Sequence, residues 1–395
     1  MLDRELVKTL ISQVNDPAGR WSEIQPTLSS ILSASHSASS QEIRGLLQRL
    51  ADDVIDVSNR PDLASRVALA CGALVESGHD PTIAIGAILD RLENVLLPAA
   101  LNFIAACRDA ALDQRQSPKR SHEPDDDHAL EGVEDPRREE TDPVEVHGER
   151  LSEMMPDSSL AFQSIPYFSM AAIAMLSRSV ALRKATRERV KLHELLDAMG
   201  GQYGYADYLW RMVQVLDDEE LVVLHPEQGK GYFVRLHGLG DNFQLHTLVA
   251  AALVGRFPGK WIRGRRPTRL EIRNASRGTE HPPEGVSHGV FNLWSWRGVD
   301  ENGQLLNAQE HADFWVWNEG VPAQIPTLDG TRFLILGAPP FQRSWTASPV
   351  FPAMSGSVEV DRVLTRDETQ AWLVYLAKRV AGSQASEPPR SRTEH

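Results

Sequence analysis

Cysteine is nearly absent. Cys71 and Cys107 are the only two in 395 residues, too few for a disulfide framework or a cysteine-based metal knot. The expectation is a reduced, cytoplasmic protein. Long apolar runs are scarce too, and none reads as long and charge-free enough to span a bilayer. The start, Met1-Leu-Asp-Arg-Glu-Leu, mixes an acid and a base where a signal peptide would need a basic start and an apolar stretch. Catalytic signatures are missing as well. There is no Gly-rich loop ending in Lys-Ser/Thr, no dinucleotide glycine pattern and no His-Glu-x-x-His. Gly285-Val286-Ser287-His288-Gly289 has Gly-x-Ser-x-Gly spacing, but a nucleophile elbow needs a helix after the serine and a strand is expected there, so no nucleophile stands out, and no cofactor is expected.

What is present is ordinary globular composition, with 42% hydrophobic and 24% charged residues. The charge is uneven. Of a net −13, about −10 comes from His122–Glu149, where twelve acids face only Arg137 and Arg138. With Pro124, Pro136 and Pro143 and few large apolar residues, this stretch cannot bury enough surface to offset its ordering entropy. It is expected to be a disordered acidic linker, residues 114–155. The Ser-, Pro- and Arg-rich tail, residues 383–395, is expected to be disordered too.

Two stretches are basic. One runs from Arg178 to Lys191. The other runs from Arg256 to Arg277 and holds Trp261, Arg263, Arg265 and Arg266. Solvated helix and loop surface explains both. A weaker alternative is nucleic-acid binding through 256–277.

Before the linker, apolar residues recur at helical spacing, as in Ile43, Leu46, Leu47 and Leu50. Pro61 marks a helix restart, and Pro98 is expected to kink or break another. Residues 1–113 are therefore read as an all-helical interaction domain, a bundle or a short solenoid. It is expected to bind a protein partner or a second copy of itself.

After the linker, residues 156–382 begin as helices and turn to strands. Leu221–Leu224 and Tyr232–His237 flank a turn and read as a hairpin. Further strands are expected at Val290–Trp296, Asp313–Trp317, Arg332–Leu336 and Val358–Val363. Thr365 and Glu368 cap a last helix. The expected fold class is α+β with a mainly antiparallel sheet and flanking helices.

The candidate site lies in this second domain. His237-Gly-Leu-Gly-Asp-Asn-Phe-Gln-Leu-His246 puts His237 at a strand end, Asp241 and Asn242 at a helix start and His246 about one turn in. Asp241 with Gln244 matches a capping box. His237 or His246 could act as general acid/base with Asp241 orienting it. The same trio could in principle hold a metal, although none is assigned. Trp294, Trp296, Trp315 and Trp317 fall at alternating positions, so neighbouring strands would give an aromatic wall. Asn318, Glu319 and Arg343 sit on loops after strands, where polar ligand contacts concentrate. The favoured function is a recognition or adaptor protein binding a peptide or small molecule in an aromatic, His-lined pocket. The alternative is an enzyme of hydrolase or transferase type using His237, Asp241 and His246.

Overall fold

The computed structural model describes residues 4–116, 142–200, 203–255, 261–277, 285–346, 348–382 and 388–389. Most of the expected linker, residues 117–141, and nearly all of the expected tail lie outside them.

The chain divides into two compact units, and neither is a single run of sequence. The helical unit is Met1–Met175 with Arg189–Leu209; the sheet unit is Leu176–Glu188 with Trp210–His395. This differs from the expected boundary at 156. The difference begins inside the expected linker, where Pro143–Met154 is a helix capped by Asp142. Its Leu151 packs with Phe103 and Cys107. The next helix, Pro156–Leu176, belongs to the helical unit because small residues let it approach Pro61–Glu76 closely. A Cβ on Gly72 would lie 3.0 Å from Ala171 Cα. Arg66 adds its guanidinium 3.9 Å above the Tyr167 ring.

Two helical stretches, Ile85–Gln114 and Pro156–Leu176, are long and apolar enough to cross a bilayer by length and composition. This corrects the expectation of none. Interspersed Ser, Gln and Pro hide the second run from inspection. Its most apolar window is 61% buried inside the unit, as in the core helix of a folded protein. Pro98 does not break its helix either. The preceding turn, Leu92–Leu96, widens to π geometry, with Leu97 N–H donating to Leu92 O. That shift accommodates a residue with no N–H to give.

The sheet unit is α+β. Its strands are β1 (Leu216–His225), β2 (Lys230–Leu239), β3 (Ser287–His288), β4 (Asn292–Trp294), β5 (Thr327–Leu328), β6 (Thr331–Gly337), β7 (Ser344–Trp345) and β8 (Ser357–Val363). The main sheet runs β4-β6-β1-β2-β8, with β5 on β6, and β3 pairs with β7 apart from it. Every pairing is antiparallel except β1 with β6.

The hairpin forms where expected, because Gly229 takes the left-handed conformation that its turn requires. Strand alternation then separates two cores. Leu221, Val223, Tyr232, Val234 and Leu236 pack toward helix Asn242–Leu253. Val222, Leu224 and Phe233 pack toward helix Arg366–Val380. That last helix begins with the expected Thr365–Glu368 capping box.

Two expected strands fail. Asp313–Trp317 overlaps the 3-10 turn Ala312–Phe314 and keeps only a single bridge, Trp294 to Trp315. Val290–Trp296 shrinks to β4. Conversely, β1 starts earlier than its apolar pattern suggests, through the acidic run Asp217–Glu220. Bulges there and a positive φ at Asp218 set it apart from a regular strand.

Those acids explain the first basic stretch. Arg183 is buried, not solvated, and its guanidinium meets the buried Asp217 carboxylate in a bidentate pair at 2.6 and 2.8 Å. A third bond goes to Leu176 O at 2.8 Å. Lys184 and Arg187 reach Asp218 and Glu219. Within the helical unit, Arg189 pairs with Asp90 and Glu93.

The Arg183–Asp217 pair yields a test. Arg183→Met or Asp217→Leu alone strands a buried charge and is expected to cost about 3–5 kcal/mol. The double variant should cost clearly less than the sum of the two. Urea unfolding of the four proteins measures this; additive losses would mean that the pair is not coupled.

Candidate functional site

The expected catalytic trio does not converge. His237 lies within β2, on the face of the sheet shared by Phe233 and opposite to that of Leu236, which packs with helix 242–253. His246 lies inside that helix and is fully buried. Among the described residues, no three His, Cys, Asp or Glu side chains are placed to hold a metal ion.

Each remaining member of the motif has a structural partner. Asp241 is the N-cap, its Oδ1 accepting from Gln244 N at 2.8 Å. The Gln244 side chain reaches back one residue further than a capping box requires, to Gly240 N at 2.9 Å. Its other end donates to Ala275 O. Asn242 ties down the 317–320 loop, donating from Nδ2 to Trp317 O at 2.8 Å and from N to Gly320 O at 2.9 Å. The glycines admit the protein's own chain. A Cβ on Gly238, at φ +62°, would lie 2.4 Å from Ser355 O.

His246 fastens the start of β4 to the helix. Its Nε2 accepts from Val290 N at 2.9 Å and Phe291 N at 3.3 Å. Burial, with the Arg343 charge beside it, pushes its pKa down to about 3. The ring is therefore neutral and its lone pair is occupied. The buried Asn318 amide lies beside the ring. Neither His246 Nδ1 nor either polar atom of Asn318 reaches a partner in hydrogen-bond geometry.

Three of the four tryptophans do meet. Trp294 and Trp315 are edge-to-face at 6.0 Å, and Trp315 lies 5.0 Å from Trp317. With its amide oxygen turned toward them, Asn292 accepts from Trp294 Nε1 and Trp315 Nε1, both at 3.1 Å. Trp296 stands apart on the 3-10 turn after β4, against Arg297. Trp315 also touches Phe341 at 6.2 Å, extending the row toward the surface.

A cleft of the sheet unit lies elsewhere, at the carboxyl ends of β1 and β6. It measures about 630 Å³ and is lined by His225, Glu227 and Gln228 from the β1–β2 turn and by Arg263–Arg265 with Pro267 and Glu271. His288–Phe291 and the loop Gly337–Arg343 complete it. Of the residues expected at the site, Arg343 lines it and His246 stands directly behind Val290 and Phe291.

Its walls are held by backbone bonds. Gln228 clamps Arg263, accepting from its N at 2.8 Å and donating to its O at 3.2 Å. Gly289 N donates to Arg343 O at 2.9 Å, beside the β3–β7 pair.

The lining holds three arginines and two glutamates. Among the described residues, Arg263, Arg265 and Arg343 form no salt bridge. Of the two acids in the lining, Glu271 is engaged in the Thr268 capping box and only Glu227 is exposed. Burial lowers the Arg343 pKa, opposed by Glu319 nearby. At the inner wall His225 is 4% exposed, its Nδ1 has no partner and burial lowers its pKa. The signal available in the sequence was the basic stretch 256–277 together with Arg343. Nothing local showed that distant loops would bring them to one cleft.

Asp241 supplies a pH test. Burial outweighs its cap bond and the Arg211 charge, and raises its pKa to about 6, against ~3.9 unfolded. The protonated carboxyl therefore favours the fold, and that contribution is complete below pH ~4 and lost as pH rises through ~6. Asp241→Asn keeps a cap and cannot ionise. It is expected to match the parent at pH 4 and exceed it at pH 8 by about 2–3 kcal/mol. Denaturant unfolding across that range decides, and a pH-independent difference would contradict the assignment. Comparison with models of protein families, with curated proteins and with solved structures finds no match.

Proposed function

We propose that this chain is a cytoplasmic recognition protein whose sheet unit binds an anionic ligand in the cleft at the carboxyl ends of β1 and β6. One observation carries the reading: Arg263, Arg265 and Arg343 line a single cleft and, among the described residues, none of them forms a salt bridge. Arginine forks suit phosphate and carboxylate oxygens, and bound oxyanions would relieve the repulsion among the three charges. A cleft of this volume falls within the range of small-molecule sites. Its walls are pinned, so little ordering is needed on binding. The enzyme reading lacks comparable support, because His237 and His246 lie on opposite sides of the sheet and the His246 lone pair is occupied.

With this goes the reading of the helical unit as the part that docks a protein partner or a second copy. What supports it is that Val57, Val95 and Val190 stand exposed on that unit.

Tripolyphosphate is a suitable probe of the cleft. Calorimetry at low salt should show binding that weakens steeply as salt rises. Joint replacement of Arg263, Arg265 and Arg343 by Gln should weaken it at least tenfold with an unchanged melting temperature. Absent binding, or binding indifferent to the triple replacement, would refute the proposal.

A further inference from the structure

The cleft is not lined by charge alone. Phe341 lies in its wall and is 51% exposed. Its ring is 5.6 Å from the Arg343 guanidinium and 6.2 Å from Trp315. Trp317, 46% exposed, continues the row 5.0 Å beyond Trp315. An open aromatic ring beside arginines that form no salt bridge gives the cleft two chemistries, one for a flat ring and one for oxyanions.

We propose that the ligand of the cleft is a nucleoside di- or triphosphate, its phosphates held by Arg263, Arg265 and Arg343 and its base stacked on Phe341. The proposal rests on the anion reading of the same cleft and specifies it. Several features support it together. Three guanidinium groups provide more donors than one phosphate needs, so a chain of phosphates uses them better. Phe341 adjoins Arg343, so one ligand can reach both at once. The Asn292-bridged pair Trp294–Trp315 is anchored on β4 and stands behind Phe341, giving the exposed ring a fixed backing. A stacking surface takes any base, so this arrangement gives affinity for the nucleotide class and little choice among bases.

The test compares ATP, GTP, CTP and UTP with tripolyphosphate, by calorimetry on the full chain at one low salt concentration. Each nucleotide is expected to bind about tenfold tighter than tripolyphosphate. Phe341→Ala should remove that advantage and leave tripolyphosphate binding within about twofold of the parent. Phe341→Tyr, which still stacks, should keep the advantage and guards against an effect of misfolding. Equal affinity for nucleotides and tripolyphosphate in the parent overturns this inference while leaving the anion reading intact. So does a nucleotide advantage that survives Phe341→Ala. Failure of both probes to bind overturns the two together.

Discussion

The sheet unit depends on one pairing, β6 running parallel to β1 in a sheet that is otherwise antiparallel. A hairpin cannot make such a pair, so the chain must leave β2, cross the sheet and return. Helix 242–253 is the part of that return that covers one face. Among the described residues of 254–330, helix Arg269–Ser276 and strands β3 to β5 are joined by loops, and those around Arg263–Pro267 and His288–Phe291 lie at the carboxyl ends of β1 and β6. The cleft is the space among those loops. Both faces of β1 are buried in consequence, which is why Leu221–Leu224 is apolar without alternation.

What was legible in the sequence was what short-range chemistry determines. The hairpin, the Thr365–Glu368 cap and the Asp241 cap each depend on residues a few positions apart. The α+β class follows from such pieces. The failures are all non-local. Trp315 sits at a strand-like spacing, yet its partner on β4 is held by a single bridge and an asparagine side chain. The acidic start of β1 reads as loop because its stabilising charges, Arg183 and Lys184, precede it by an intervening pair of helices. The helix at 156–176 reads as the start of a new domain because nothing in its own sequence says that Gly72 will admit it.

The candidate site illustrates the same limit. Residue types around His237–His246 suggested chemistry, since a histidine and a carboxylate near glycines are common catalytic furniture. The structure assigns those groups to backbone partners: Gln244 N for Asp241, Trp317 O and Gly320 O for Asn242, Val290 N and Phe291 N for His246. Polar atoms engaged by the fold have little capacity left for a ligand, and the unpartnered His246 Nδ1 and Asn242 Oδ1 are buried. Arg263, Arg265 and Arg343 show the reverse: charged groups brought to one cleft without a salt bridge among the described residues.

The division into units has a consequence for biosynthesis. The chain passes between them after Met175, after Glu188 and after Leu209. On a ribosome the helical unit is therefore incomplete until residue 209 has emerged, although most of it is made before residue 176. Arg183 appears earlier than Asp217, the carboxylate that neutralises it. Between those two moments the nascent chain carries an unmatched guanidinium on a short helix that has no sheet to join. Burial of that charge against its carboxylate must wait for the first strand.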